Sequence, residues 1–308
     1  WPFFIPCSWV LLCQRCPSSI RRRVASTKFR NTFLESVPVL QWAPHARPEE
    51  YQRLQGHGGA YGWQDVAWDS LTLLNTLANG HMFDAHPGTA DGNPSCIRCA
   101  VVGNGGILNG SRAGAAIDQH HYVFRVNGAL TTGFEQDVGN RTSFYVFSTN
   151  TMMNSLHSYA SAGFHQLPQT PETRYIFLPD HDRDYLLLRA ALTHRPVDKG
   201  PDNGPLQQMA PFLPSPDGRF LRSSILDTPQ WWLYRPSTGA VMLLAALHTC
   251  DEVSAYGFIT PDYRAYSDHY FDGTHKDVRF YANHDLQLEM KLWQRLWKSR
   301  LITLYTRD

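Results

Sequence analysis

The sequence has almost no excess of charge. Its 28 Lys and Arg stand against 27 Asp and Glu, for a net +1 over 308 residues, so nothing in it suggests a nucleic-acid binder held by bulk electrostatics. It also lacks a long hydrophobic run. Residues 1–13 (WPFFIPCSWVLLC) are apolar but interrupted by Pro2 and Pro6, and fall short of the roughly 20 residues a membrane helix needs. Arg21-Arg22-Arg23 lies on their C-terminal side. The stretch reads as a truncated or buried N-terminus, with no complete signal or anchor expected of it. No internal repeat and no heptad pattern organises the rest. Hydrophobic residues make up 43 % and charged residues 18 %, the balance of a globular chain long enough for one sizeable core or two small ones.

Cysteines are few. Of the six, Cys96-x-x-Cys99 has redox or half-zinc spacing, and Cys13-x-x-Cys16 would supply a second pair. Two sequons, Asn109-Gly-Ser111 and Asn140-Arg-Thr142, point instead to a secretory compartment, where long-range disulfides are favoured over zinc.

The segment Cys96–Phe147 is the most informative. Ala100-Val101-Val102 runs directly into Gly103-Asn104-Gly105-Gly106, which is how a buried strand feeding a glycine turn is written. Such a turn either brings backbone N–H groups to an anion or is a tight turn with no ligand. A dinucleotide fingerprint is incomplete, because Leu108 stands where the third glycine belongs and Asp118 comes too early for the ribose carboxylate. A mononucleotide is the simpler ligand.

Residues 1–95 read as an irregular N-terminal leader followed by short elements, with a strand-like Val37–Leu40, a helical Trp68–Leu77 and a loop at His81–Pro94. Residues 96–308 read as the main domain. Strands are expected at Cys99–Val102, Tyr122–Val126, Ser143–Phe147, Tyr175–Leu178, Val253–Phe258 and Leu301–Tyr305, and helices at Arg183–Thr193, Thr238–Thr249 and Asp285–Lys298. In the last helix Leu286, Met290, Trp293 and Trp297 make one apolar face, with Asn283 as N-cap. Lys199–Pro216 is a loop rich in Pro, Gly, Asp and Asn. Alternating short strands and helices predict an α/β fold: a single-domain, Rossmann-like, mostly parallel sheet flanked by helices.

Ligands of such sheets gather at the carboxyl ends of the strands. Asn104 and Asn127 belong there, and so does Ser237-Thr238-Gly239, where Ser237 or Thr238 would cap a helix whose free N–H groups suit an anion. Asp180-His181-Asp182 matches a metal-holding DxD, although a polar helix start explains Asp182 and Asp184 better. His269 and His284 have the chemistry of a proton acceptor or a phosphate donor, but fourteen histidines make any single one unremarkable by composition.

Taken together, these residues resemble the sialylmotifs of the animal sialyltransferases. Cys96–Asn140 is similar to the large motif, through Cys99-Ala-Val-Val-Gly-Asn104, Tyr122-Val-Phe-Arg-Val-Asn127 and Asp137-Val-Gly139. Tyr234–Phe258 resembles the small motif, His269-Tyr-Phe-Asp272 the third, and His284-x-x-x-x-Glu289 the very small one. Gly105–Leu108 and Ser254–Ile259 are most similar to the N-acetylgalactosaminide α-2,6-sialyltransferases of types I and II, with type II favoured.

The resemblance implies a variant of the nucleotide-sugar glycosyltransferase fold and an inverting transfer from CMP-sialic acid to the 6-hydroxyl of GalNAc on O-glycosylated glycoproteins (GalNAc-Ser/Thr or Gal-GalNAc-Ser/Thr). No metal and no cofactor are expected. Asn104 and Asn127 would contact CMP, and Ser237, Thr238 and Gly239 would line the phosphate pocket. His269 would hydrogen-bond the departing phosphate, and His284 would be the general base. The family pairs Cys99 with Cys250, and Cys96 with an N-terminal cysteine, for which Cys16 is best placed; Cys7 and Cys13 have no family role. It also implies a Golgi-lumenal, single-pass type II membrane protein, whose anchor is not seen here. The alternatives are a DxD metal-dependent transferase and a non-catalytic nucleotide- or glycan-binding homologue.

Overall fold

The computed structural model describes residues 16–34, 39–57, 62–77, 96–179, 181–197, 223–229 and 234–307. Residues 1–15, the expected loop at 81–94, Val37 and Pro38, Asp180 and the whole of 199–216 lie outside them, and Val39 and Leu40, described, form no strand. One six-stranded sheet carries the fold: β1 (Arg98–Val102), β2 (Tyr122–Val126), β3 (Phe144–Phe147), β4 (Arg174–Phe177), β5 (Glu252–Tyr256) and β6 (Thr303–Leu304). Its order is β4-β3-β2-β1-β5-β6, and every neighbouring pair is parallel. The mostly parallel α/β sheet expected from the sequence is therefore present, with strand ends shifted by a few residues. β5 stops at Tyr256 because Gly257 turns into the left-handed region at φ +67°.

The helices are α1 (Ile20–Val24), α2 (Pro48–Leu54), α3 (Trp68–Leu71), α4 (Gly114–Asp118), α5 (Glu135–Val138), α6 (Thr149–Ser158), α7 (Asp182–Thr193), α8 (Thr238–Thr249) and α9 (Leu286–Lys298). The expected Trp68–Leu77 helix is α3 continued by a 3-10 turn, Thr72–Thr76. Sequence patterning assigned nothing to α6. Its composition, TNTMMNSLHS, is polar and weakly periodic, and what starts it is a reciprocal cap between Ser148 and Thr151.

β1 after Arg98, β2 and β3 are nearly continuous apolar runs because both faces of the sheet are covered there, whereas β5 alternates. Cys99, Val101, Phe124 and Val126 face one core with α8, Ile20, Val24 and Trp293. Ala100, Val102, Val123 and Tyr145 face the other, with Trp63, Leu71, Tyr185 and Tyr270. α8 is apolar on nearly all sides and buried on nearly all sides. A fully buried charge on the strands is Arg125 of β2, whose Nε and Nη2 donate to the carbonyls of Arg141 (2.8 Å) and Val138 (2.7 Å).

Among the described residues two disulfides close long loops. Cys99–Cys250 spans 151 residues and joins β1 to the end of α8, and Cys16–Cys96 spans 80 and ties the N-terminal segment to the entry of β1. These are the pairings the family resemblance implied, and the C-x-x-C redox and zinc readings fall away. A loop of either length is worth roughly 4–5 kcal/mol in the chain-entropy account.

Candidate active site

The topology decides where chemistry can sit. β1 turns to β2 on one side, while the chain returns through α8 to lay β5 on the other side of β1, so the strand order reverses between β1 and β5. Ligands of open α/β sheets bind at that reversal, beyond the carboxyl ends of the strands. α8 ends two residues before β5 and α9 ends shortly before β6. Each helix preceding a parallel strand starts at the carboxyl edge, so Ser237–Gly239 and His284 are delivered there, beside the turns after β1, β2 and β5.

The glycine turn does not act as an open anion cradle. Gly103 N–H donates to Tyr256 O (2.8 Å), Gly105 N–H to Gly257 O (3.0 Å) and Gly106 N–H to Ser267 O (3.1 Å). A Cβ on Gly103 would lie 2.7 Å from Gly257 O. The glycines therefore let the β1 and β5 turns lie backbone to backbone, and the N–H groups after β1 are spent on the carbonyls of Tyr256, Gly257 and Ser267. What the turn presents is Asn104. Its Nδ2 donates to Val126 O (3.3 Å), its carbonyl accepts from Tyr270 N–H (3.0 Å), and its Oδ1 is buried with no hydrogen-bond partner. Asn127 follows Val126 in sequence, stands in the left-handed region at φ 48°, and also has a buried, unpartnered Oδ1. Two orphaned acceptors at one strand edge cost free energy unless a ligand supplies donors, and the hydroxyl and amino groups of a nucleoside would.

At α8 the cap is Ser237, whose Oγ accepts from Ala240 N–H (3.0 Å), leaving the Thr238 and Gly239 N–H groups with no acceptor inside the helix. Glu289 holds this cap. Its Oε1 accepts from Ser237 N–H (2.8 Å) and its Oε2 from Ser237 Oγ (2.7 Å). Burial pushes the Glu289 carboxyl up to about 7, against the pull of both hydrogen bonds.

That arrangement corrects the expected face of α9. The buried residues are Glu289, Leu292, Trp293 and Leu296, while Trp297 is 42 % exposed. The stripe is turned toward an acid, because Ser237 needs it. Asp285, not Asn283, caps the helix, accepting from Leu288 N–H (3.0 Å).

His284 sits one residue before that cap. Its Nδ1 lies 2.9 Å from Arg235 O. A carbonyl only accepts, so in the neutral ring Nδ1 carries the proton and Nε2 keeps its lone pair. Burial lowers the His284 pKa, the bond to Arg235 O opposes that, and the Arg235 charge adds to it. The result is a neutral imidazole with a free acceptor nitrogen.

His269 is built differently. Its ring stacks on Phe271 (5.0 Å, 18°), and its Nδ1 lies 3.6 Å from Asp268 and 3.7 Å from Asp272. Burial lowers its pKa while the two carboxylates hold it up. Burial would raise the Asp272 carboxyl, but hydrogen bonds from Lys276, the His269 N–H and Ser267 outweigh it and keep the group below its usual range. Sequence reasoning missed Tyr159, whose hydroxyl is 3.3 Å from His269 Nε2. It follows the unassigned α6, and only the Ser148–Thr151 cap could have drawn attention to that helix.

Asn109 and Asn140 are both exposed, as acceptor asparagines must be. Asn109 Nδ2 donates to Tyr270 O (2.9 Å), and Asn140 N–H donates to Asp118 (2.8 Å). In the DxD segment, Asp182 accepts from Ala67 N–H (2.9 Å), and Asp184 from Thr149 (2.6 Å) and His181 N–H (3.0 Å). These are helix-start contacts. Among the described residues one close group of potential metal ligands occurs, Cys16, Cys96 and Glu252, but its cysteines are bonded to each other and offer no thiolate.

Comparison with known proteins matches residues 40–301 to glycosyltransferase family 29 (sialyltransferase). The chain belongs to this sialyltransferase family. It is 49 % identical to a mouse alpha-N-acetylgalactosaminide alpha-2,6-sialyltransferase 2, over 96 % of this chain and 83 % of that protein. To the human protein of the same name it is 50 % identical, over 91 % and 79 %. A crystal structure of a mammalian sialyltransferase in complex with Gal-beta-1-3GalNAc-ortho-nitrophenol superposes with a TM-score of 0.63 at 27 % identity, covering 95 % of this chain and 99 % of that one. The chain is thus a sialyltransferase by family and fold. No helix among the described residues is long and apolar enough to cross a membrane.

Proposed function

We propose that this sialyltransferase moves sialic acid from CMP-sialic acid to the 6-hydroxyl of GalNAc in O-linked glycans, with inversion at the anomeric carbon and without a metal. The observation that carries the chemistry is His284, with Nδ1 committed to Arg235 O and Nε2 left as an acceptor. His284 Nε2 takes the proton of the acceptor hydroxyl as its oxygen attacks the anomeric carbon. The bond from that carbon to the CMP phosphate oxygen breaks, and CMP leaves with the electron pair.

Negative charge grows on one phosphate, and two features of the chain suit it. The first turn of α8 offers Thr238 and Gly239 N–H groups, and His269 carries a donor supported by two carboxylates. Asn104 and Asn127 would take the donors of the nucleoside through their unpartnered oxygens. The acceptor specificity rests on identity to the alpha-2,6 enzymes. A Golgi-lumenal setting with a type II anchor is the family's, and two disulfides suit that oxidising compartment.

The test is incubation of the chain with CMP-sialic acid and O-glycopeptides bearing GalNAc or Gal-GalNAc, with and without excess EDTA. Transfer through the 6-hydroxyl that survives chelator is expected. Activity lost in EDTA and restored by a divalent ion would overturn the metal-independent mechanism. CMP binding with no transfer to any acceptor would make the chain a binding homologue instead.

A further inference from the structure

Tyr159 lies 110 residues from His269 in sequence, and its hydroxyl bonds the ring nitrogen that faces away from the carboxylates. Asp268 and Asp272 flank Nδ1 and favour a proton there, so in the neutral ring Nε2 accepts from Tyr159. The phenol stays protonated: burial, and then the negative charge of Asp268, push its pKa up to about 12. The same ring packs edge-on against Phe271 (5.1 Å, 73°) and against His269 (5.3 Å, 64°), closing a box of three rings. Room for it comes from Gly128, where a Cβ would lie 2.3 Å from Tyr159 Cδ2. Gly128 follows Asn127, so one turn both carries an orphaned amide oxygen and seats Tyr159. Tyr281, 56 % exposed and bonded through its carbonyl to His284 N–H (3.1 Å), is near enough to disfavour ionisation of Tyr159.

We propose that Tyr159 is a positioning residue of the transfer reaction, whose hydroxyl holds the His269 ring through Nε2 before the donor binds, Nε2 then taking a proton from solvent and turning from Tyr159 to the leaving phosphate. The proposal rests on the reading of His269 as the group that meets that phosphate. The hydroxyl adds no covalent step, and its effect passes through His269.

The experiment is Tyr159→Phe, which keeps the ring packing and removes one oxygen. Turnover is expected to fall about tenfold, the worth of one hydrogen bond to a group in the transition state, with the Kd for CMP changed less than about twofold and no loss of thermal stability. In a His269→Ala background the same change should have no further effect. The ring 15N resonance of His269 Nε2 should move in Tyr159→Phe, a signature that a packing role would leave in place. Unchanged turnover, an unmoved Nε2 resonance, or an equal loss in the His269→Ala background would each overturn the proposal. His269→Ala turning over like wild type would instead remove the role of His269 itself.

Discussion

Burial lowers the pKa of both histidines at the candidate site, and their charged neighbours differ in sign. His284 is kept neutral first by burial, with the Arg235 charge adding to it and the Arg235 carbonyl at Nδ1 opposing it. Burial lowers the His269 pKa as well, but here Asp268 and Asp272 beside Nδ1 oppose the shift. In the proposed reaction one residue type would serve two jobs, a base that must be empty and a donor that must be filled. Neighbours, not the imidazole, make the difference.

The largest expected effect separates the two directly. His284→Ala should lower turnover by about 10²–10⁴-fold, the usual worth of a general base, with CMP binding intact by calorimetry. A variant that turns over normally, or that loses CMP along with turnover, would break the contrast.

The second prediction concerns the support of the His284 region. Glu289 has a folded pKa of about 7 against an ordinary 4.5, so between those values the folded chain binds more protons than the unfolded one. Its contribution is full below pH 4.5 and is lost as pH rises through 7, a span of roughly 3 kcal/mol. The melting temperature of wild type relative to Glu289→Gln should therefore fall from pH 4.5 to 7. A difference that is flat with pH would show that the hydrogen bonds from Ser237 cancel the effect of burial.

The smallest effect sharpens the other side. Asp272 raises the His269 pKa, so Asp272→Asn should lower it. The alkaline limb of turnover should then move to lower pH, with kcat down about tenfold at neutral pH. A limb that stays in place would mean that the carboxylates do not set the state of His269.

Much of this was legible in the sequence. Ala100–Val102, Tyr122–Val126 and Phe144–Phe147 are short apolar runs, and strands covered on both faces of a parallel sheet have to be written that way, so the fold class followed from patterning alone. Ser237 before an apolar run announced a cap, and the four motifs carried the family. What patterning could not see were contacts with no local period. Glu289 counts as polar in any helical wheel, yet it lies inside because Ser237, 52 residues away, donates to it twice.

The glycines after β1 look the same whether their N–H groups face an anion or another turn, and only the placement of β5 beside β1 gave them to Tyr256, Gly257 and Ser267. Tyr159 met His269 across 110 residues for the same reason. Local sequence determines which backbone each segment can form, through sterics and burial pattern. Which side chain closes on which is decided by chain return, where the free energy of a contact depends on partners that the segment itself does not contain.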